Sequence, residues 1–287
     1  GPAAAARAIG DMALLGEAVF ADWEATESDL YARSIRASVL ASLGAAEEAR
    51  FLFEREAKSA QRPWRQLALA SAAALAGDAE RELKAAQDMH QTGHPPPFSN
   101  WVLALAQIGA GDPANAYETL LESRPELADP ARLAPIGPEL GDPGYNELVT
   151  AAHALGLIGR RDEARALWNA ALAPVEPEPT WTAHLQLALI HGHLGDKAAA
   201  VRDFNAAYDL GFRFLRSYDC DGCAHNGFFS GSGLFAEHMK IPEFARLVEK
   251  IEAENRATLD AFNRKYRVLD RVRALMAADK AAGAERQ

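Results

Sequence analysis

Two kinds of spacing organise the apolar positions of this chain. At each flank they recur every three or four residues, the interval that lines side chains along one face of an α-helix. Leu14, Leu15, Val19, Phe20 and Trp23 do so within Met12 to Glu27. Phe244, Leu247, Val248, Ile251, Leu259, Phe262, Tyr266, Leu269 and Val272 do so within Pro242 to Ala277, a segment read as one long amphipathic helix or a broken one. Between the flanks a helix-breaking glycine returns at Gly44, Gly77, Gly111, Gly159 and Gly195, at intervals of 33, 34, 48 and 36 residues. A rhythm of that length predicts stacked helical hairpins, each too small to bury its own apolar face.

Aligning the units on their glycines tests the rhythm, because a chance spacing would leave the other columns unrelated. Seven residues before the glycine stand Ala37, Ala70, Ala104, Ala152 and Ala188. Five residues after it stand Ala49, Glu82, Ala116, Ala164 and Ala200, and nine after it Phe53, Ala86, Leu120, Trp168 and Phe204. Small residues on both helices allow close approach, and a bulky residue one turn later fills the wider part of the gap. Gly77-Asp78, Gly111-Asp112 and Gly195-Asp196 supply a helix stop followed by an N-cap. Turn chemistry and packing therefore agree on one register.

These columns resemble the tetratricopeptide repeat, with its small residue in the first helix, Gly-Asp turn, and alanine then aromatic in the second. The resemblance covers roughly Asp29 to Phe212; Glu82 and Ala86 depart from it, and the proline that ends a unit is recognisable only at Pro95 to Pro97 and Pro177. It implies an all-α fold, an α-solenoid of helical hairpins with capping helices at both ends. The expected organisation is a tag scar at 1–2, an N-terminal capping helix at 3–28, three repeats at 29–123 and two at 145–212. A Cys/Gly-rich loop follows at 213–241, then a long C-terminal helix and tail at 242–287. The 48-residue interval holds Pro125, Pro130, Pro135, Pro138 and Pro143, so 124–144 reads as an insertion or hinge. The C-terminal stripe is expected to pack on the last repeat, the alternative being a homodimer seam that Glu254 and Asn255 would interrupt.

Composition narrows the partners. A net charge of -10 argues against nucleic acid, whose phosphates demand clustered Lys and Arg. No stretch approaches the roughly 20 apolar residues a membrane helix needs, so a soluble chain is expected, cytoplasmic unless an upstream membrane segment has been removed, in which case periplasmic. In tetratricopeptide arrays the first helices line a concave groove. Carried over column by column, that groove holds Tyr31, Ser38, Trp64, Ser71, Phe98, Trp101, Leu105, Asn146, His153, Leu189 and His193. Its aromatic character suits a protein or peptide partner such as an amphipathic helix, or a small signalling ligand, and lacks the paired cations that would clamp a terminal carboxylate.

The stretch from Tyr218 to Leu234 breaks every repeat rule. Cys220, Cys223 and His225, completed by His238, would offer zinc two thiolates and two imidazoles, although a second ligand pair at clear spacing is missing. A plain cap loop without cofactor is the competing reading. The glycines at 227, 231 and 233 lack the lysine of a phosphate loop, and Ser230 and Ser232 do not form a nucleophile elbow. His184, His191 and His193 read as packing histidines rather than ligands. Gly211-Phe212 with Pro242-Glu-Phe244-Ala-Arg-Leu247 resembles the end of the tetratricopeptide modules attached to some bacterial adenylate cyclases and winged-helix transcription regulators. The expectation is a non-catalytic, regulatory binding module, the alternative a metalloprotein or enzyme built on the Cys220 to His238 loop.

Overall fold

The computed structural model describes residues 12–24, 29–61, 64–92, 96–133, 143–173, 180–215 and 233–284. These residues form thirteen α-helices and no strand. A leading helix, α1 (Met12–Phe20), precedes five pairs. They are α2 (Leu30–Ser42) with α3 (Ala46–Ser59), α4 (Trp64–Ala76) with α5 (Ala79–Gln91), and α6 (Pro96–Gly109) with α7 (Pro113–Ser123). Next come α8 (Pro143–Leu157) with α9 (Arg161–Leu172) and α10 (Trp181–Leu194) with α11 (Lys197–Asp209). Two helices close the chain, α12 (Pro242–Tyr266) and α13 (Val268–Ala284).

Each pair is set by its glycine. Gly44, Gly77, Gly111, Gly159 and Gly195 have φ between 68 and 95°, the left-handed region in which a Cβ is costly. The following residue then donates back to the last turn, as Asp78 N–H does to Ala73 O at 3.0 Å and Asp196 N–H to His191 O at 2.9 Å. Asp78, Asp112 and Asp196 next accept from the N–H of Arg81, Asn115 and Ala199, starting the second helix. A sixth left-handed glycine, Gly211, ends α11 in the same way and turns the chain into Phe212.

The alanine and aromatic columns lie in the core: Ala37, Ala70, Ala104, Ala152 and Ala188 are all buried, as are Phe53, Leu120, Trp168 and Phe204. Successive helices pack on their neighbours along the series, with α6 also touching α8. Of the expected insertion, Pro125–Ala128 and Pro130–Arg132 are short 3-10 turns, and Leu127 is buried with its carbonyl accepting from Tyr117 Oη at 3.5 Å. No helix among the described residues is long and apolar enough to cross a membrane.

The C-terminal stripe does more than extend the last pair. Phe244 is buried and stacks on Phe204 of α11 at 4.0 Å, but the other end of α12 packs on α1, where Phe262 meets Phe20 edge-on at 5.4 Å. α13 then lies on α3. Asn255, read in the sequence as an interruption of a dimer seam, is buried; its amide donates both to Ser42 O at the end of α2 and to Arg213 O beyond α11, each at 2.9 Å. Beside it Glu254 accepts from Tyr208 Oη at 2.5 Å and pairs with Arg213 at 2.9 Å. The two ends of the helical series thus meet along α12. Phe244, Leu247, Val248, Ile251, Leu259 and Phe262 are buried within one chain, so the stripe packs on the last hairpin, and on the first as well.

Candidate functional site

The predicted groove positions divide by exposure. Trp64, at the start of α4, is 48% exposed, and Phe98 and Leu105 on α6 are partly buried against the core. Ser38, Ser71, Trp101, Asn146, His153 and Leu189 are buried. Trp101 shows why: its indole N–H donates to Thr150 Oγ1 of α8 at 3.1 Å while its ring packs 5.9 Å from Phe98, so it joins two hairpins. These six side chains lie buried among the helices of the chain. Tyr31 lies in α2, but its side chain falls outside the described residues.

His193 belongs to a different arrangement. Its ring stacks on Trp168 of α9 at 4.3 Å and meets His153 of α8 and His238 edge-on at 5.4 and 5.1 Å. Four segments distant in sequence converge here. His193 Nε2 lies 2.8 Å from Leu234 O, and His238 Nε2 lies 3.1 and 3.0 Å from Ala188 O and Leu189 O. Carbonyls only accept, so both rings carry their proton on Nε2 and present Nδ1 as the lone pair. Gly192 makes the contact geometrically available, since a Cβ there would fall inside the His238 ring.

Burial is the main reason these imidazoles stay neutral. It pushes His193 down to about 3, helped by the neighbouring His238 and His153, and it lowers His238 as well. At about 3, His193 does not exchange a proton near neutrality, which disfavours acid–base work by that ring. His184 and His191, one face of α10, both approach Asp203 of α11: His191 Nδ1 at 2.8 Å from Oδ2 and His184 Nδ1 at 3.8 Å from Oδ1, with Arg202 at 3.2 Å. Asp203 is buried and holds this face of the last hairpin together.

Of the expected zinc ligands, Cys220, Cys223 and His225 lie outside the described residues, and His238 has its Nε2 committed to two carbonyls. Among the described residues no group of three or more His, Cys, Asp and Glu side chains is placed to hold a metal ion.

Two carboxylates, the buried Glu56 and the partly buried Glu82, are held toward their neutral form. Glu56 on α3 accepts from Ser34 Oγ at 3.2 Å beside a small cavity also lined by Arg33, Arg36, Leu52 and Arg55, and burial raises it to about 7 against the pull of Ser34 and Arg33. Glu82, which takes an alanine's place in the second helix of its unit, is likewise raised by burial to about 7. The column that singled out Glu82 as a departure was the signal; Glu56 had none. No family model matches the chain, and no curated protein is significantly similar to it.

Proposed function

We propose that this chain is a non-catalytic binding module, an α-solenoid of tetratricopeptide-like hairpins, serving as the regulatory part of a larger bacterial signalling or transcription-regulating protein. The observation that carries the reading is the shared register: five hairpins with left-handed glycines at the same place, each with a buried alanine seven residues before it and, in four of the five, another five residues after it. Repetition of this kind builds extended surface rather than one enclosed reaction site.

Within that surface the contact point is Trp64, large, aromatic and 48% exposed, in the column that Phe98 occupies one unit later. An amphipathic helix or apolar peptide is the partner such a residue suits, because exposed aromatics supply most of the binding energy at peptide-sized interfaces. Selecting binders from a displayed library of amphipathic helical peptides, and measuring the best by calorimetry, tests it. Trp64→Ala should weaken binding about ten-fold or more with helical content unchanged. Affinity untouched by both Trp64→Ala and Phe98→Ala excludes this surface.

A further inference from the structure

α12 and α13 are separated by a single residue, Arg267, with φ 55° and ψ 40°, the one non-glycine residue with positive φ among those described. Nothing in the local sequence asks for a break there. From Glu243 to Ala282 there is neither proline nor glycine, and Arg267 is exposed. The bend is closed by Arg267 N–H to Asn263 O and Leu269 N–H to Asn263 Oδ1, both at 2.9 Å, and Arg267 pairs only with Asp270 at 2.8 Å. A left-handed conformation disfavoured for arginine therefore persists because of what α13 touches.

What α13 touches is slight. Val268 and Val272, next to the bend, are buried; beyond Val272 no described residue of the helix is. Leu269, Leu275 and Met276 are partly buried against the core, and the rest of its hold consists of ion pairs with at least one exposed member each: Arg273 with the buried Glu48 at 2.9 Å, Lys58 with Asp279 at 2.5 Å and Arg271 with Glu24 at 2.7 Å. Pairs of this kind are weak and screened by salt.

We infer that Arg267 is the hinge of a latch. In the closed state α13 folds back onto α3 and covers the first hairpin; when Arg267 passes to the right-handed region, α12 and α13 become one continuous helix and α13 leaves that face. The straight state regains ordinary helical geometry at Arg267, the bent state keeps the two valines and the ion pairs, and salt or a competitor for Glu48 shifts the balance. This bistability is independent of which ligand the module binds.

Spin labels introduced as an unnatural amino acid at Ser59 and Ala282, both exposed, leave Cys220 and Cys223 untouched and read the distance between α3 and α13 by double electron–electron resonance. Straightening moves the tip of a 17-residue helix by roughly 20 Å or more. Arg267→Val, β-branched and intolerant of positive φ, should raise the ratio of long to short distances about five-fold or more, Arg267→Gly should lower it by a similar factor, and 1 M NaCl should act in the direction of Arg267→Val. Far-UV helicity should hold steady or rise slightly. The hinge is overturned if both substitutions and salt leave the distribution unchanged, if Arg267→Gly opens the chain, or if long distances appear only as helicity is lost.

Discussion

The long helix α12 is fastened at both ends by a ring seated on a glycine, and the two fastenings differ in chemistry. At the last hairpin His238 rests on Gly192, with Phe235 and Phe244 around it and Phe244 stacked on Phe204. At the first hairpin Phe262 rests on Gly16 and meets Phe20 edge-on, and the Asn255 bridge and charged pairs such as Lys265 with Glu17 at 2.8 Å add to it. Both junctions bury aromatic rings, and the one at the first hairpin adds an outer layer of exposed ions. The same steric device thus serves a ring-closed attachment and one with an ionic rim, and the rim is the part that yields first, because buried rings forfeit dispersion and hydration energy when separated whereas exposed ions exchange one partner for water.

The comparison breaks most readily at its strong side. Phe244→Ala should cost about 4 kcal/mol in urea unfolding, in the range for a fully buried ring, and a loss below about 1 kcal/mol would mean that α12 is not anchored by aromatic packing. Gly192→Ala comes next. The His238 ring would have to move off two carbonyls, so about 3 kcal/mol is expected, against about 2 for Gly16→Ala, where Phe262 has no hydrogen bond to lose. In a His238→Ala background Gly192→Ala should become neutral or stabilising, since alanine is the better helix former by about 1 kcal/mol. Persistence of the full penalty there would show that the glycine serves some neighbour other than His238.

How much of this could be read in the sequence follows from how local each feature is. The five turns depend on glycine at a fixed offset, followed by aspartate in three of them, so hairpin positions were legible, and so was the burial of the alanine columns. The ends of the array were not. Asn255 looks like a flaw in an apolar stripe because a stripe shows only its own helix; its partners at Ser42 and Arg213 are brought to it by the whole series. The histidine cluster draws on α8, α10 and the turn before α12, and no spacing links His153, His193 and His238. The exposure of single groove positions was not legible for a geometric reason: one position along a helix rotates a side chain by about 100°, which separates an exposed Trp64 from a Trp101 buried against Thr150.

pH acts with opposite signs on the histidine cluster at the last hairpin and on two carboxylates of the first two hairpins. Unfolded histidine takes a proton below about 6.5, His193 in the folded chain only near 3, so between those values the unfolded state binds more protons and stability falls as pH falls. His238 adds to that loss. Glu56 and Glu82 act the other way. Raised to about 7 from an ordinary 4.5, they hold protons in the folded chain that the unfolded chain has released, so stability rises as pH drops from 7 to 4.5. The terms oppose each other between 6.5 and 4.5, and a nearly level Tm is expected there, followed by a fall below 4.5. Glu82→Ala, which restores the alanine column, should stabilise the protein by about 1–2 kcal/mol at pH 8 and by progressively less toward pH 4.5. A gain that grows on acidification would contradict the sign.

The smallest effect sharpens the weak side. Arg273 and Glu48 meet at 2.9 Å; the arginine is 63% exposed while the carboxylate is buried, so Arg273→Ala should cost about 1 kcal/mol of global stability. Its consequence lies elsewhere. Hydrogen exchange along α13 should quicken several-fold in Arg273→Ala and in 1 M NaCl, while exchange in α10 and α11, held by Phe204, Phe244 and His238, stays as it was. Opening that spread equally to both junctions would mean that α12 and α13 move as one body with the array. Opening confined to α13 would mean that the ionic rim yields first, leaving the buried rings to hold the C-terminal segment in place.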